Sequence, residues 1–234
     1  TVASKPEQTP DFSHTQAAQA LQDLAMVLPI AQWRWFIISG TFLGLHREGG
    51  FLAHDYDIDT GIHAEDLDVQ RLLNTLGDSG IFTVKKQDHH IEVLRANNRR
   101  CLRKRLSMIK LAHRNGMQVD IFIHYTENDR CWHGSVIHRW ENTPFKLEPR
   151  KLEGVTVLAP ADADLYLTEN YGDWRTPVQD YNCTTGTPNL VLSSNFISYA
   201  LLIKRHLHLS RHALDQSGDL AQNLINSDLL MRDS

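Results

Sequence analysis

The sequence predicts an α+β fold: a mixed sheet with flanking helices, followed by a C-terminal helical segment. Three observations carry this. A fully apolar run, Trp35 to Ile38, passes straight into a glycine and a helical pattern, and a second strand pattern opens at Asp57. Four further strand-like runs follow between Ile81 and His124 with turn signals among them, which implies antiparallel or mixed pairing. Helical spacing then returns after Pro160 and again over Phe196 to Leu214.

Residues 1–12 read as a disordered polar leader, 13–180 as one domain and 181–234 as a helical segment of that same domain. Ser13 can cap a first helix in which Leu21, Leu24, Ala25 and Leu28 recur at helical spacing until Pro29. Trp35-Phe36-Ile37-Ile38 has the branched and aromatic character of a buried strand, closed by Gly40. The spacing of Phe42, Leu45 and His46 predicts a short helix from Thr41, stopped by Gly49-Gly50, before Asp57 to Ile62 resumes as strand. Glu65 and Asp66 open a second helix, lined by Leu72, Leu73 and Leu76 and ended by Gly77 and Gly80. Short strands are expected at Ile81 to Lys85, His90 to Leu94, Leu106 to Ala112 and Met117 to His124, with Asn97-Asn98 and Asn115-Gly116 as turns. Pro160 opens a third helix that runs to Tyr171.

With 234 residues the chain can bury a full core. Its 41% hydrophobic and 22% charged residues fit a soluble globular protein, and a formal net charge of -4 gives no nucleic-acid signature. No apolar run is long enough to cross a bilayer. Cys101, Cys131 and Cys183 are an odd count at wide spacing, which argues against a disulfide framework and fits a reducing compartment. A cytoplasmic location is therefore expected, and peripheral contact with a membrane is compatible with it.

The chemistry concentrates between Ser39 and Gly61. Asp55, Asp57 and Asp59 alternate, and on an extended segment alternate residues share a face roughly 6.5–7 Å apart, so these acids can converge on one or two hard cations. A solvated turn is the plain alternative; an EF-hand loop fails because its glycine and closing glutamate are missing at the required offsets. Asp120 sits inside the apolar strand Val119 to His124, where a carboxylate has to be paired, protonated or metal-bound. Placed beside Asp57-Ile58-Asp59 it completes a three-carboxylate site able to hold the two cations of an in-line phosphoryl displacement. Thr41, at a helix start after Gly40, can offer backbone N–H groups to phosphate, and Lys110 on the neighbouring strand can reach one. The basic run Arg95 to Arg105 reads chiefly as a solvated rim, and the 13 histidines, which match no zinc spacing, as surface and interface residues.

A glycine-hydroxyl turn, an Asp-x-Asp strand and a later lone Asp resemble the nucleotidyltransferase superfamily typified by DNA polymerase beta. The stretch Gly40-Thr41-Phe42-Leu43-Gly44-Leu45-His46-Arg47, then Gly50-Phe51-Leu52 and Asp55-Tyr56-Asp57-Ile58-Asp59, is more narrowly similar to the signature of the LicD/fukutin family. Val119 to Phe122, Leu152 to Val155 before Pro160, and Tyr171-Gly172-Asp173-Trp174 with Pro177 continue it in the family's order. The resemblance implies a nucleotidyltransferase-type mixed sheet and transfer of a phosphorylated alcohol, such as phosphocholine or a pentitol or glycerol phosphate. The donor would be CDP-linked, the acceptor a sugar of a glycan or glycolipid, and CMP the product. It further implies Mg2+ or Mn2+ on Asp57, Asp59 and Asp120, with Asp120 as base and Arg47 as phosphate partner. Ala53-His54 replace the family's common Pro-Trp, and Tyr56, expected to point away from the acids, stands where another acid is often found. Asp55 is then a supporting acid. The rival readings are a strict nucleotidyltransferase and a non-catalytic carbohydrate-binding relative.

Overall fold

The computed structural model describes residues 13–53, 55–96, 99–135, 138–178, 181–183 and 186–192. The expected leader, the Asn97-Asn98 turn and the helix expected over Phe196 to Leu214 lie outside the described residues. Among the described residues no helix is long and apolar enough to cross a membrane.

Helix α1 (His14–Val27) begins at Ser13, whose hydroxyl accepts from the Gln16 N–H, and buries Ala17, Ala20, Leu21 and Leu24. A short α2 (Ile30–Trp33) ends on Arg34 in the left-handed region, and the Trp35 indole N–H returns to the Leu28 carbonyl at 2.6 Å. Strand β1 (Phe36–Ile37) is wholly buried and leads into α3 (Ser39–Arg47), after which β2 (Asp57–His63) returns antiparallel to β1. The second helix, expected from Glu65, starts later. Ala64–Asp66 forms a single 3-10 turn, and α4 (Val69–Asp78) begins where the Asp68 carboxylate accepts from the Arg71 N–H at 3.0 Å. An extended Asp68 is a better cap than the acids before it.

The two strands expected at Ile81 to Lys85 and His90 to Leu94 are one strand, β3 (Phe82–Ala96), paired with β4 (Arg99–His113) in a long hairpin. Lys85-Lys86-Gln87-Asp88 breaks the apolar pattern but not the ladder, which absorbs the irregularity in register shifts at Val84/Lys86 and Asp88/His89. β5 (Gln118–Glu127) pairs β4 and β2 along its first half and β6 (Arg130–Gly134) at its end. Then come β7 (His138–Asn142), β8 (Leu147–Leu152), β9 (Val155–Pro160), α5 (Ala163–Tyr171) and β10 (Leu190–Leu192). Pro160 therefore ends a strand, and Asp162 caps α5 by accepting from the Leu165 N–H at 3.0 Å.

The ten strands among the described residues form one mixed sheet in the order β10-β7-β6-β5-β2-β1-β9-β8, with β4 and β3 attached through β5. Parallel pairing of β2 with β5 and of β1 with β9 accounts for the mixed character. Helix α1 is tied to the far end of β4: Asp23 accepts from His113 Nε2 at 2.9 Å and from Arg114 at 3.3 Å. The histidines depart from expectation, since His90, His113, His124 and His133 are all buried.

Candidate active site

Parallel pairing in register sets Asp59 directly beside Asp120, with Asp57 two residues back on the same face of β2. One carboxylate oxygen from each of the three lies within 4.8 Å of the others. The strands alone do not hold this arrangement. The start of α3 is stitched to Asp59 at three points: the Ile38 N–H donates to its carbonyl at 3.2 Å, the Thr41 hydroxyl accepts from its N–H at 2.9 Å, and the Gly40 N–H donates to its carboxylate. On the other side the Thr60 hydroxyl donates to the Asp120 carbonyl at 2.9 Å. Ser39, which lines the site, sits at φ 48, an uncommon conformation for a side-chain-bearing residue.

Besides the backbone N–H groups expected to face phosphate, Thr41 has a structural task. Its side chain is wholly buried and does not line the cavity, because the hydroxyl is committed to the Asp59 backbone. Gly40 does line the cavity, and its lack of a side chain makes room for Asp55: a methyl group there would stand 2.7 Å from Asp55 Oδ2. Asp55 is thus folded in against the start of α3 rather than turned to solvent. Lys110 is the cross-strand partner of Asp120, and its ammonium donates to Asp120 Oδ2 at 2.5 Å. Arg47 lines the cavity and also contacts Glu48 at 3.5 Å. Tyr56 is 60% exposed and stands at the cavity mouth.

Four carboxylates this close raise one another's proton affinity. Burial, then the neighbouring Asp57, pushes Asp55 up to about 7. Burial, then Asp120, pushes Asp57 up to about 6. Asp59 is driven well above the usual carboxylate range by burial and by Asp57, Asp55 and Asp120. Burial also raises Asp120, although the Lys110 ammonium opposes it; for Lys110 the three acids outweigh its own burial and raise it. Asp120 Oδ1 and Asp55 Oδ2 are buried without a hydrogen-bond partner among the described residues. Orphan carboxylate oxygens and mutual repulsion are what a hard divalent cation relieves, so Asp57, Asp59 and Asp120 fit Mg2+ or Mn2+.

The acids open into a cavity of about 560 Å³. Its lining includes Arg47, Tyr56 and Trp174, and a contiguous aromatic wing of Phe122, His133 and Trp140. Tyr171 and Trp174 belong to stretches singled out in the sequence, whereas His133 and Trp140 lie on β6 and β7, strands that the sequence pattern does not announce. Replacing Thr41 by Val keeps the shape and removes the acceptor for the Asp59 N–H. The expected result is a loss of turnover of roughly tenfold with a destabilisation of about 1–2 kcal/mol, while Thr41→Ser retains both. Steady-state rates and thermal unfolding of the two variants check this; equal behaviour of Val and Ser would remove the positioning role.

A family model described as LicD/FKTN/FKRP, nucleotidyltransferase domain, matches residues 32–162. Ribitol-5-phosphate transferase FKTN of Mus musculus is 24% identical over 181 residues, covering 74% of this chain and 35% of that protein, and FKTN of Homo sapiens is 23% identical over the same length. An uncharacterized protein of Rickettsia typhi is 26% identical over 164 residues, 67% of this chain and 45% of its own. The chain thus spans about a third of the length of the FKTN relatives. Among solved structures, the lincomycin-bound lincosamide antibiotic adenylyltransferase LnuA superposes with a TM-score of 0.38 at 13% identity, over 67% of this chain and 85% of its own. The model match covers more than half the chain, from α2 through both acidic strands to the cap of α5, and the chain belongs to the LicD/FKTN/FKRP nucleotidyltransferase-domain family.

Proposed function

We propose that this domain transfers a phosphorylated alcohol, phosphocholine or a pentitol or glycerol phosphate, from a CDP-linked donor to a sugar hydroxyl of a glycan or glycolipid. The observation that carries the reading is the convergence of Asp57, Asp59 and Asp120 beside the start of α3, on a chain whose family includes ribitol-5-phosphate transferases. Asp57 and Asp59, completed by Asp120, would hold Mg2+ or Mn2+, which when bound neutralises charge on the diphosphate.

The chain's own groups divide the remaining work. Arg47, at the cavity wall, is the cation assigned to the donor phosphates. Lys110 holds Asp120 Oδ2 in place, and the Asp120 carboxylate is the group assigned the acceptor's proton. Thr41 and Gly40 act one step back by fixing Asp59. In the reaction the acceptor oxygen forms a bond to the phosphorus distal to the nucleoside, the bond from that phosphorus to the bridging oxygen breaks, and CMP leaves.

Incubation of the protein with CDP-choline, CDP-ribitol and CDP-glycerol in turn, with Mn2+ and a sugar acceptor, is expected to release CMP from one of them. Release of none, with CTP or ATP consumed to pyrophosphate instead, would establish nucleotide transfer in its place. Inertness towards every donor and nucleotide would favour a binding protein.

A further inference from the structure

The wing of the cavity formed by Phe122, His133 and Trp140 has no role in the phosphate chemistry above. Phe122 lies two residues beyond Asp120 on the same face of β5, about 7 Å along the strand from the acids, which is a ribose's breadth away from a phosphate held there. His133, on the adjoining β6, meets the Phe122 ring edge to face at 5.3 Å and is 6% exposed, its residual surface lining the cavity. The ring is fixed from both sides. Trp140 stacks on it at 5.5 Å and 19°, and His124 lies against it at 4.7 Å. Trp140 is itself anchored by its indole N–H, which donates to the Cys183 carbonyl at 3.0 Å and the Thr187 hydroxyl at 3.1 Å.

One ring nitrogen of His133 is left unused by the described residues. Nδ1 is buried without a partner among the described residues, and no described carboxylate is paired with the ring. Burial keeps the imidazole neutral at pH 7, its pKa lowered to about 4, so one nitrogen can donate while the other accepts. Arg47 is the sole Lys or Arg among the described residues lining the cavity. A flat, neutral wall with one rigid imidazole, a ribose's breadth from a phosphate site, suits a planar heterocycle and suits neither a second phosphate nor a flexible polyol.

We propose that Phe122 and His133 form the nucleobase subsite of the donor, with Phe122 as the ring platform and His133 as the hydrogen-bonding specificity residue. This rests on the reading that the donor is a nucleoside diphosphate ester. It leaves Tyr56 and Trp174, elsewhere in the lining, to the alcohol and the acceptor.

The test titrates the 234-residue chain with CMP and, as a base-free probe, with ribose 5-phosphate, both with Mn2+. His133→Ala is expected to weaken CMP at least tenfold and to leave ribose 5-phosphate within twofold. Phe122→Leu, which keeps apolar bulk but removes the flat face, should weaken CMP less and in the same selective way. In the unaltered protein CMP should shift the His133 ring nitrogen resonances, and ribose 5-phosphate should not. Unchanged CMP affinity in both variants, equal loss for both ligands, or failure of the unaltered protein to bind CMP each overturns the subsite. CMP bound through His133 by a protein that releases none from any CDP-linked alcohol keeps the subsite and sinks the transfer reaction. CMP release at unchanged KM in His133→Ala does the reverse.

Discussion

Asp57→Asn and Asp59→Asn are each expected to reduce turnover by roughly 10³-fold or more, and yet to unfold at a higher temperature than the parent in metal-free buffer. Both effects have one cause. The folded state holds Asp57 at about 6, above the ordinary carboxylate value of 3.8, because burial and then Asp120 disfavour its charge. A raised acid pKa means the folded chain binds the proton more readily than the unfolded one. The charge therefore costs stability above pH 6, up to about 3 kcal/mol, and the cost fades as pH falls from about 6 towards 3.8. Asn removes that cost together with a cation ligand. Mn2+ should raise the melting temperature of the parent by binding only the folded acids, and should do little for Asp57→Asn. Buried histidines act in the opposite direction. With His133 lowered to about 4, stability is present above pH 6.5 and is lost as pH falls towards 4. The parent's acid response is thus a partial cancellation, and the Asn variants should be more acid-sensitive below pH 6. Near-parental rates in either variant, or a lower melting point in metal-free buffer, would remove the acids from their assigned role.

Those acids were legible in the sequence because each carries a mark that survives without coordinates. Alternate spacing shows Asp57 and Asp59, and Asp120 is a charge inside Val-Asp-Ile-Phe-Ile, where nothing but a partner can justify it. Other roles depend on where a hydrogen bond goes, which spacing does not specify. Thr41 follows a glycine at a helix start, which draws attention to its backbone N–H, and nothing in that spacing announces that its hydroxyl is spent on Asp59, a residue eighteen positions away. His133 and Trp140 lie on β6 and β7, whose sequences Arg-Cys-Trp-His-Gly and His-Arg-Trp-Glu-Asn lack the alternation that marks a half-buried strand. The β5–β6 connection turns on Asn128 and Asp129, both at positive φ, so the hairpin is written in two turn residues rather than in the strands. β8 carries Pro149 and is tolerated as a strand because it forms the sheet edge beyond β9.

Gly44→Ala is expected to destabilise the domain by about 3 kcal/mol, whereas Gly77→Ala, the same exchange in another helix, should stabilise it by about 0.5–1 kcal/mol. Helix propensity alone gives both the same sign, since Ala is favoured over Gly at any interior helical position. Their surroundings separate them. A methyl group on Gly44 would stand 2.6 Å from the Gly50 carbonyl oxygen and 2.9 Å from the Leu52 nitrogen, and both are backbone atoms that no rotamer change can move aside. Gly77, near the end of α4, has nothing within 4 Å of the added carbon. The Gly44 clash reaches the active site, because α3 can relieve it only by shifting away from residues 50–52, and α3 is the element whose first turn fixes Asp59. Gly44→Ala should therefore also lose activity at temperatures where it remains folded, and Gly77→Ala should not. Thermal unfolding, read at roughly 2–4 °C per kcal/mol for a chain of this size, with rates measured well below each midpoint, decides between these outcomes. A Gly44→Ala protein as stable and active as the parent would show that the close approach of α3 to residues 50–52 is not what holds the acids in place.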